Sequence, residues 1–121
     1  MSDKLILVVD DSPTDRKIAE SVCKAKGFRV ETAAEGEEAL KKAVGLQPDL
    51  VLLDVILPRK NGFQVCRQLK SSPETKDIKI IMVTSKTQDS DRFWGIKQGA
   101  DGYLTKPFSE DELYKMINQT M

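Results

Sequence analysis

No histidine occurs in this chain of 121 residues, and its absence removes the commonest general base and the commonest transition-metal ligand together. A catalytic triad and a zinc centre are both poor fits. An excess of charge of one sign is also missing. Lys plus Arg and Asp plus Glu number 19 each, so no bulk basic field exists to hold nucleic acid or an anionic membrane. No apolar run approaches the ~20 residues of a membrane span, and the N-terminal "MSDK" leads into a strand-like stretch instead of a signal sequence. The expectation is a cytoplasmic protein with neither a nucleic-acid nor a membrane partner. Cysteine is scarce: Cys23 and Cys66 lack CxxC spacing and read as small core residues of a reducing compartment, not as a disulfide or metal site. Linkers, repeats and low-complexity stretches are absent too. The length suits a single domain spanning residues 1–121, with no output domain expected after Met121.

What is present alternates with a period of roughly 25 residues. Apolar, β-branched runs at Leu5–Val9, Val51–Leu53 and Ile78–Val83, with shorter ones at Arg29–Thr32 and Gly102–Leu104, read as strands. Helical patterns with clear ends separate them. Ser12 and Pro13 supply an N-cap and a first-turn proline, Ile18 and Val22 repeat at four, and Gly27 supplies a left-handed stop. A second helix begins near Gly36 with Ala39, Leu40, Ala43 and Val44 on one face, and a third carries Val65, Cys66 and Leu69. A fourth runs from Asp89 to Gln98 before Gly99, with Phe93 and Ile96 defining its core face and Arg92 and Trp94 flanking it. The last opens on the capping box "SEDE", Ser109 to Glu112. Strands alternating with helices imply an α/β fold with a parallel, doubly wound sheet covered on both faces.

In an open parallel sheet the ligand crevice lies at the carboxyl ends of the strands. The first strand ends in Asp10 and Asp11, the third in Asp54, the fourth in Thr84 and Ser85, and the fifth near Lys106 and Pro107. Acids without histidine or thiolate suit a hard cation, and Mg2+ takes one or two carboxylates while accepting phosphate oxygens. A carboxylate is also a nucleophile toward phosphorus, and Asp54, alone at the end of the most apolar strand, is the best candidate. The three equatorial oxygens of a phosphoryl group would find Mg2+, Lys106, and the Thr84 hydroxyl with the Ser85 backbone. Each group has a plainer reading: helix N-terminal anions, a strand-end turn, an ordinary strand threonine, a solvated lysine. Those readings lose force jointly, because all five would have to meet at one crevice by accident. Gly62 reads as the end of a loop, without a chemical role.

The stretches "VVDD", "DLVLLDVILPRKNGF", "IIMVTS" and "GADGYLTKPF" at these spacings resemble the receiver domain of two-component response regulators over essentially the whole chain. The resemblance implies a flavodoxin-like (βα)5 fold with strand order 2-1-3-4-5. It implies Asp54 as phosphoacceptor, Asp11, Asp54 and the Ile56 backbone carbonyl as Mg2+ ligands, and Asp10 as an acidic-pocket residue acting through water. Thr84 and Lys106 would contact the phosphoryl group, Tyr103 would be an aromatic switch that turns inward, and the Lys106–Pro107 peptide would be cis. The stretch "SKTQDSDRFWGIKQGADGYLTKPF" further resembles the stand-alone regulators of pilus-type chemosensory systems, which govern movement.

With no histidine in the chain, the phosphoryl donor must be a partner histidine kinase or a small phosphodonor. Signalling would run through a protein target bound at the fourth helix, fifth strand and fifth helix, with Trp94 and Arg92 as anchors, by a chain that is a monomer when unphosphorylated. On this reading the protein is no enzyme beyond its own phosphorylation and slow dephosphorylation. The slowness follows from Ile56, which cannot hydrogen-bond the hydrolytic water; Ile56 and Lys86 stand at the two positions from which polar side chains orient it. The alternatives are a phosphate sink for a shared kinase and a phosphate-independent interaction module. Two further readings fit less well: a dehalogenase-like phosphatase needs a DxD-type motif and a larger body, and a flavin carrier needs a hydroxyl-rich phosphate loop.

Overall fold

Five segments form the strands of the computed structural model, which describes residues 3–121. They are β1 (Leu5–Val9), β2 (Arg29–Ala33), β3 (Leu50–Leu53), β4 (Lys79–Thr84) and β5 (Gly102–Thr105). Between and after them lie α1 (Pro13–Ala25), α2 (Gly36–Leu46), α3 (Gly62–Ser71), α4 (Asp89–Lys97) and α5 (Glu110–Thr120). The strands make one parallel sheet of order β2-β1-β3-β4-β5, the expected doubly wound arrangement. The order reverses between β1 and β3, which opens a crevice at their carboxyl ends.

Both faces of the sheet are covered, so the central strands are apolar without alternation. The period of two instead sorts their side chains between two cores. Ile6, Val8, Leu50, Leu52, Ile81 and Val83 pack under α1 and α5, against Ala19, Val22, Cys23, Leu113 and Ile117. Leu7, Val9, Val51, Leu53, Ile80 and Met82 pack on the other face against Ala39, Ala43, Val65, Cys66 and Leu69 of α2 and α3. Both cysteines are buried free thiols, pushed up to about 12 in pKa by burial, which keeps them unreactive.

Helix ends follow the sequence signals. The Ser12 hydroxyl accepts from the Asp15 N–H with Pro13 in the first turn, and Ser109 and Glu112 form the expected capping box. Gly27 and Gly99 adopt φ of 90° and 104°, left-handed values that favour glycine.

Four apolar residues assigned to core faces lie outside. Ile18 and Val44 are about half exposed, because the inward rows of α1 and α2 are built from Ala19, Val22 and Cys23 and from Ala39 and Ala43. In α4 the expected face is inverted: Phe93 is 64% exposed and Ile96 50% exposed. Gly95 is the buried residue of that helix, because the Tyr103 ring rises from β5 and occupies the space a large helix side chain would need.

Gly62 does more than end a loop. A Cβ there would lie 2.2 Å from the Asp54 carbonyl oxygen, so the glycine lets α3 start directly against the end of β3. Gly62→Ala is therefore expected to lower stability by about 1–3 kcal/mol, the range for forced overpacking. Gly45→Ala, where a Cβ meets nothing within 4 Å in exposed α2, should raise it by about 0.5–1 kcal/mol. Urea denaturation of both variants checks the pair, and equal effects would contradict the close-approach argument.

Candidate functional site

Strand register brings the site together. Val9 pairs with Leu53 across the β1–β3 boundary, so Asp10 and Asp54 emerge side by side at the switch point. Thr84 pairs with Thr105 in β4 and β5, which places Lys106 one residue beyond that edge. Asp10 and Asp54 are 5% and 6% exposed, Thr84 is fully buried, and Asp11 faces solvent.

The two buried carboxylates are held alike. One oxygen of each accepts from the backbone N–H two residues further on, Ser12 for Asp10 at 3.0 Å and Ile56 for Asp54 at 3.1 Å. Such turns aim the side chain back over its own strand end. The other oxygen of each accepts from Lys106 Nζ, at 2.6 Å for Asp10 and 3.1 Å for Asp54. Asp15, from the first turn of α1, accepts a third bond from the same ammonium at 3.0 Å. Its acidity reads from the sequence as a helix first-turn charge, and only the fold brings it to a lysine 91 positions away. Arg16, also unassigned from sequence, donates to the Asp10 carbonyl at 2.8 Å.

The electrostatics follow from burial. Burial works against the Lys106 charge, but hydrogen bonds to Asp10 and Asp15 and the Asp54 carboxylate outweigh it and raise its pKa. For Asp10 burial wins: its pKa is raised although Lys106 and the Ser12 N–H both favour the ionised form. Asp10, Asp11 and Asp54 each offer an oxygen, all lying within 4.8 Å of one another. Three carboxylates without nitrogen or sulfur donors fit Mg2+, which would also offset the charge that burial penalises.

Beside this pocket the Thr84 hydroxyl oxygen accepts from the Lys86 N–H at 3.4 Å, and the Lys86 carbonyl accepts from the Tyr103 hydroxyl at 2.9 Å. The Tyr103 ring, expected to turn inward as a switch, already lies inside at 4% exposure. Arg92 stacks over it at 5.0 Å and donates to the Tyr103 carbonyl at 3.1 Å. Trp94 is not brought to this group and lines a separate groove between α3 and α4. The Ile56 side chain is half exposed, and the Lys106–Pro107 peptide is cis.

A doubly wound parallel sheet with an acidic pocket at its switch point and a lysine across it is the architecture of a receiver-type signalling domain. The chain belongs to the response regulator receiver domain family, whose profile matches residues 6–118. It is 43% identical to protein PilH of Pseudomonas aeruginosa over 96% of both chains. It spans about half or less of several longer curated relatives. The chemotaxis protein CheY4 of Vibrio cholerae superposes with a TM-score of 0.93 at 32% identity, covering 99% of this chain and 100% of that one. The receiver domain of sensor histidine kinase PA1611 from Pseudomonas aeruginosa, described with a magnesium ion coordinated in its active-site cleft, matches at TM-score 0.90 and 28% identity over 98% of both chains.

The raised pKa of Asp10 has a definite sign. Its ionised form weakens the fold at neutral pH, and that cost disappears as pH falls through the raised value toward the ordinary 3.8. With a chelator present, Asp10→Asn should unfold at higher urea than the parent at pH 7, the gap closing in acid. A lower midpoint at pH 7 would mean that the Lys106 bond outweighs burial at Asp10.

Proposed function

We propose that this chain is a phosphorylation-dependent response regulator in which Asp54 accepts a phosphoryl group from a histidine kinase. The observation that carries the reading is the Lys106 ammonium set between the two buried carboxylates, 3.1 Å from Asp54 and 2.6 Å from Asp10. An Asp54 oxygen attacks phosphorus, the P–N bond to the donor histidine breaks, and the imidazole leaves with a proton. Lys106 exchanges a carboxylate oxygen for a phosphoryl oxygen, and the Thr84 hydroxyl can turn toward a second. Mg2+, held by Asp11, Asp54 and the Ile56 carbonyl with Asp10 beside it, would neutralise charge on the transferred group.

The signal leaves through the bonded series Thr84, Lys86 and Tyr103. Reorienting the Thr84 hydroxyl competes with the Lys86 N–H it now accepts, and the Lys86 carbonyl holds the Tyr103 hydroxyl. Tyr103 in turn packs on Gly95 and under Arg92, so its position biases α4 against β5. The face of α4, β5 and α5 is accordingly the surface at which a downstream protein reads the phosphorylated state. Likeness to PilH and to a chemotaxis protein supports a role in motility signalling by a cytoplasmic chain.

Incubation with Mg2+ and acetyl phosphate should add one phosphoryl group, and Asp54→Asn should abolish it as read by intact mass. Modification that persists in Asp54→Asn, or proceeds equally in EDTA, would remove the mechanism. The phosphorylated form should decay slowly, because the half-exposed Ile56 cannot hydrogen-bond an in-line water. Ile56→Asn should shorten its lifetime several-fold, roughly 1 kcal/mol in the barrier. An unchanged decay rate would assign the water to another group.

A further inference from the structure

Between α3 and α4, away from the acidic pocket, runs a groove of about 370 Å3 lined by Arg67, Lys70, Ser71, Trp94, Lys97 and Gln98. Its chemistry is one-sided: three cations, one tryptophan and no carboxylate. Lys70 is committed, bonding Asp101 at 3.1 Å and the Ile78 carbonyl at 2.7 Å. Arg67 and Lys97 are exposed and form no salt bridge among the described residues; Lys97 lies only over the Phe93 ring, at 5.9 Å. Trp94 is 49% exposed, leaving half of the largest apolar side chain in solvent between those charges.

Such an arrangement is incomplete by itself. Tryptophan and arginine are the residue types most enriched among interface hot spots, and a guanidinium binds carboxylates in bidentate fashion. We propose that this groove is a docking site for an acidic protein segment that lays an aliphatic or aromatic side chain on Trp94 and its carboxylates on Arg67 and Lys97. Charge complementarity selects the occupant. Nucleic acid is disfavoured because the chain carries a formal charge of zero and the groove offers one stacking ring instead of a charged track with several. The site is distinct from the face of α4, β5 and α5, and it needs no phosphoryl group.

Trp94 is the chain's only tryptophan, so its emission reports the groove directly. The full chain, without Mg2+ or phosphodonor at low ionic strength, is titrated with a synthetic twelve-residue peptide of glutamates around a central Leu-Leu pair. The expected result is a saturable blue shift, with amide shifts in two-dimensional NMR gathered at Arg67, Ser71, Trp94 and Gln98. The double variant Arg67→Glu, Lys97→Glu, both exposed and therefore foldable, should weaken binding about tenfold or more. Trp94→Ala, followed by NMR, should weaken it as well. An unchanged emission on titration, equal affinity in the double variant, or equal binding of leucine-free polyglutamate or duplex DNA would each overturn the proposal. Because no phosphorylation is involved, these outcomes are independent of whether Asp54 is the phosphoacceptor.

Discussion

A single ammonium group, Nζ of Lys106, sits where β1, β3, β5 and the first turn of α1 converge, and three carboxylates share it. Without that cation Asp10 and Asp54 would be like charges buried side by side, an arrangement that raises pKa values and costs stability. With it, each carboxylate has both oxygens occupied, and no buried side-chain nitrogen or oxygen among the described residues lacks a partner. The ammonium does not fully offset the burial of Asp10, whose pKa stays raised. The pocket is therefore satisfied in hydrogen bonds but short of positive charge, the condition in which a divalent cation and an incoming phosphoryl group complement each other.

The rest of the fold holds this strain in place. Apolar strands buried on both faces anchor the backbone from which Asp10 and Asp54 project, and the backbone N–H groups of Ser12 and Ile56 fix each carboxylate's direction. Gly62 permits α3 to begin within van der Waals reach of the Asp54 carbonyl, so the strand end that carries Asp54 is braced from beneath. The same principle operates at α4, where a glycine admits the Tyr103 ring and couples the helix to β5. That closeness has a consequence at the surface: with Gly95 turned inward, Phe93, Trp94 and Ile96 are turned out, and α4 presents apolar side chains to solvent on both flanks.

Much of this was legible in the sequence. Strand and helix order followed from apolar periodicity and capping residues, because those signals are local and act before any long-range contact forms. The acids Asp10, Asp11 and Asp54, with Thr84 and Lys106, were recognisable because a polar residue closing an apolar strand must emerge at a sheet edge, and a parallel sheet puts all such edges on one side. The core residues of α3 were equally plain, since Val65, Cys66 and Leu69 repeat at helical spacing with nothing competing for the face.

What the sequence could not express depended on which side chain reached a space first. Phe93 and Ile96 had the spacing of a core face, yet the ring of Tyr103, arriving from another strand, filled that space, and the helix turned its smallest residue inward. Asp15 carried a local explanation as a helix first-turn acid, and nothing nearby announced that Lys106 would meet it. Gly62 looked like a loop residue because a clash with a carbonyl in a neighbouring segment is invisible to local pattern. Periodicity and strand-end polarity thus determined the strands, the helices and which polar residues meet at the sheet edge. Close packing among segments distant in the chain decided which apolar residues were left outside and which carboxylates share the lysine, because excluded volume and the reach of a side chain are set only once the elements have docked.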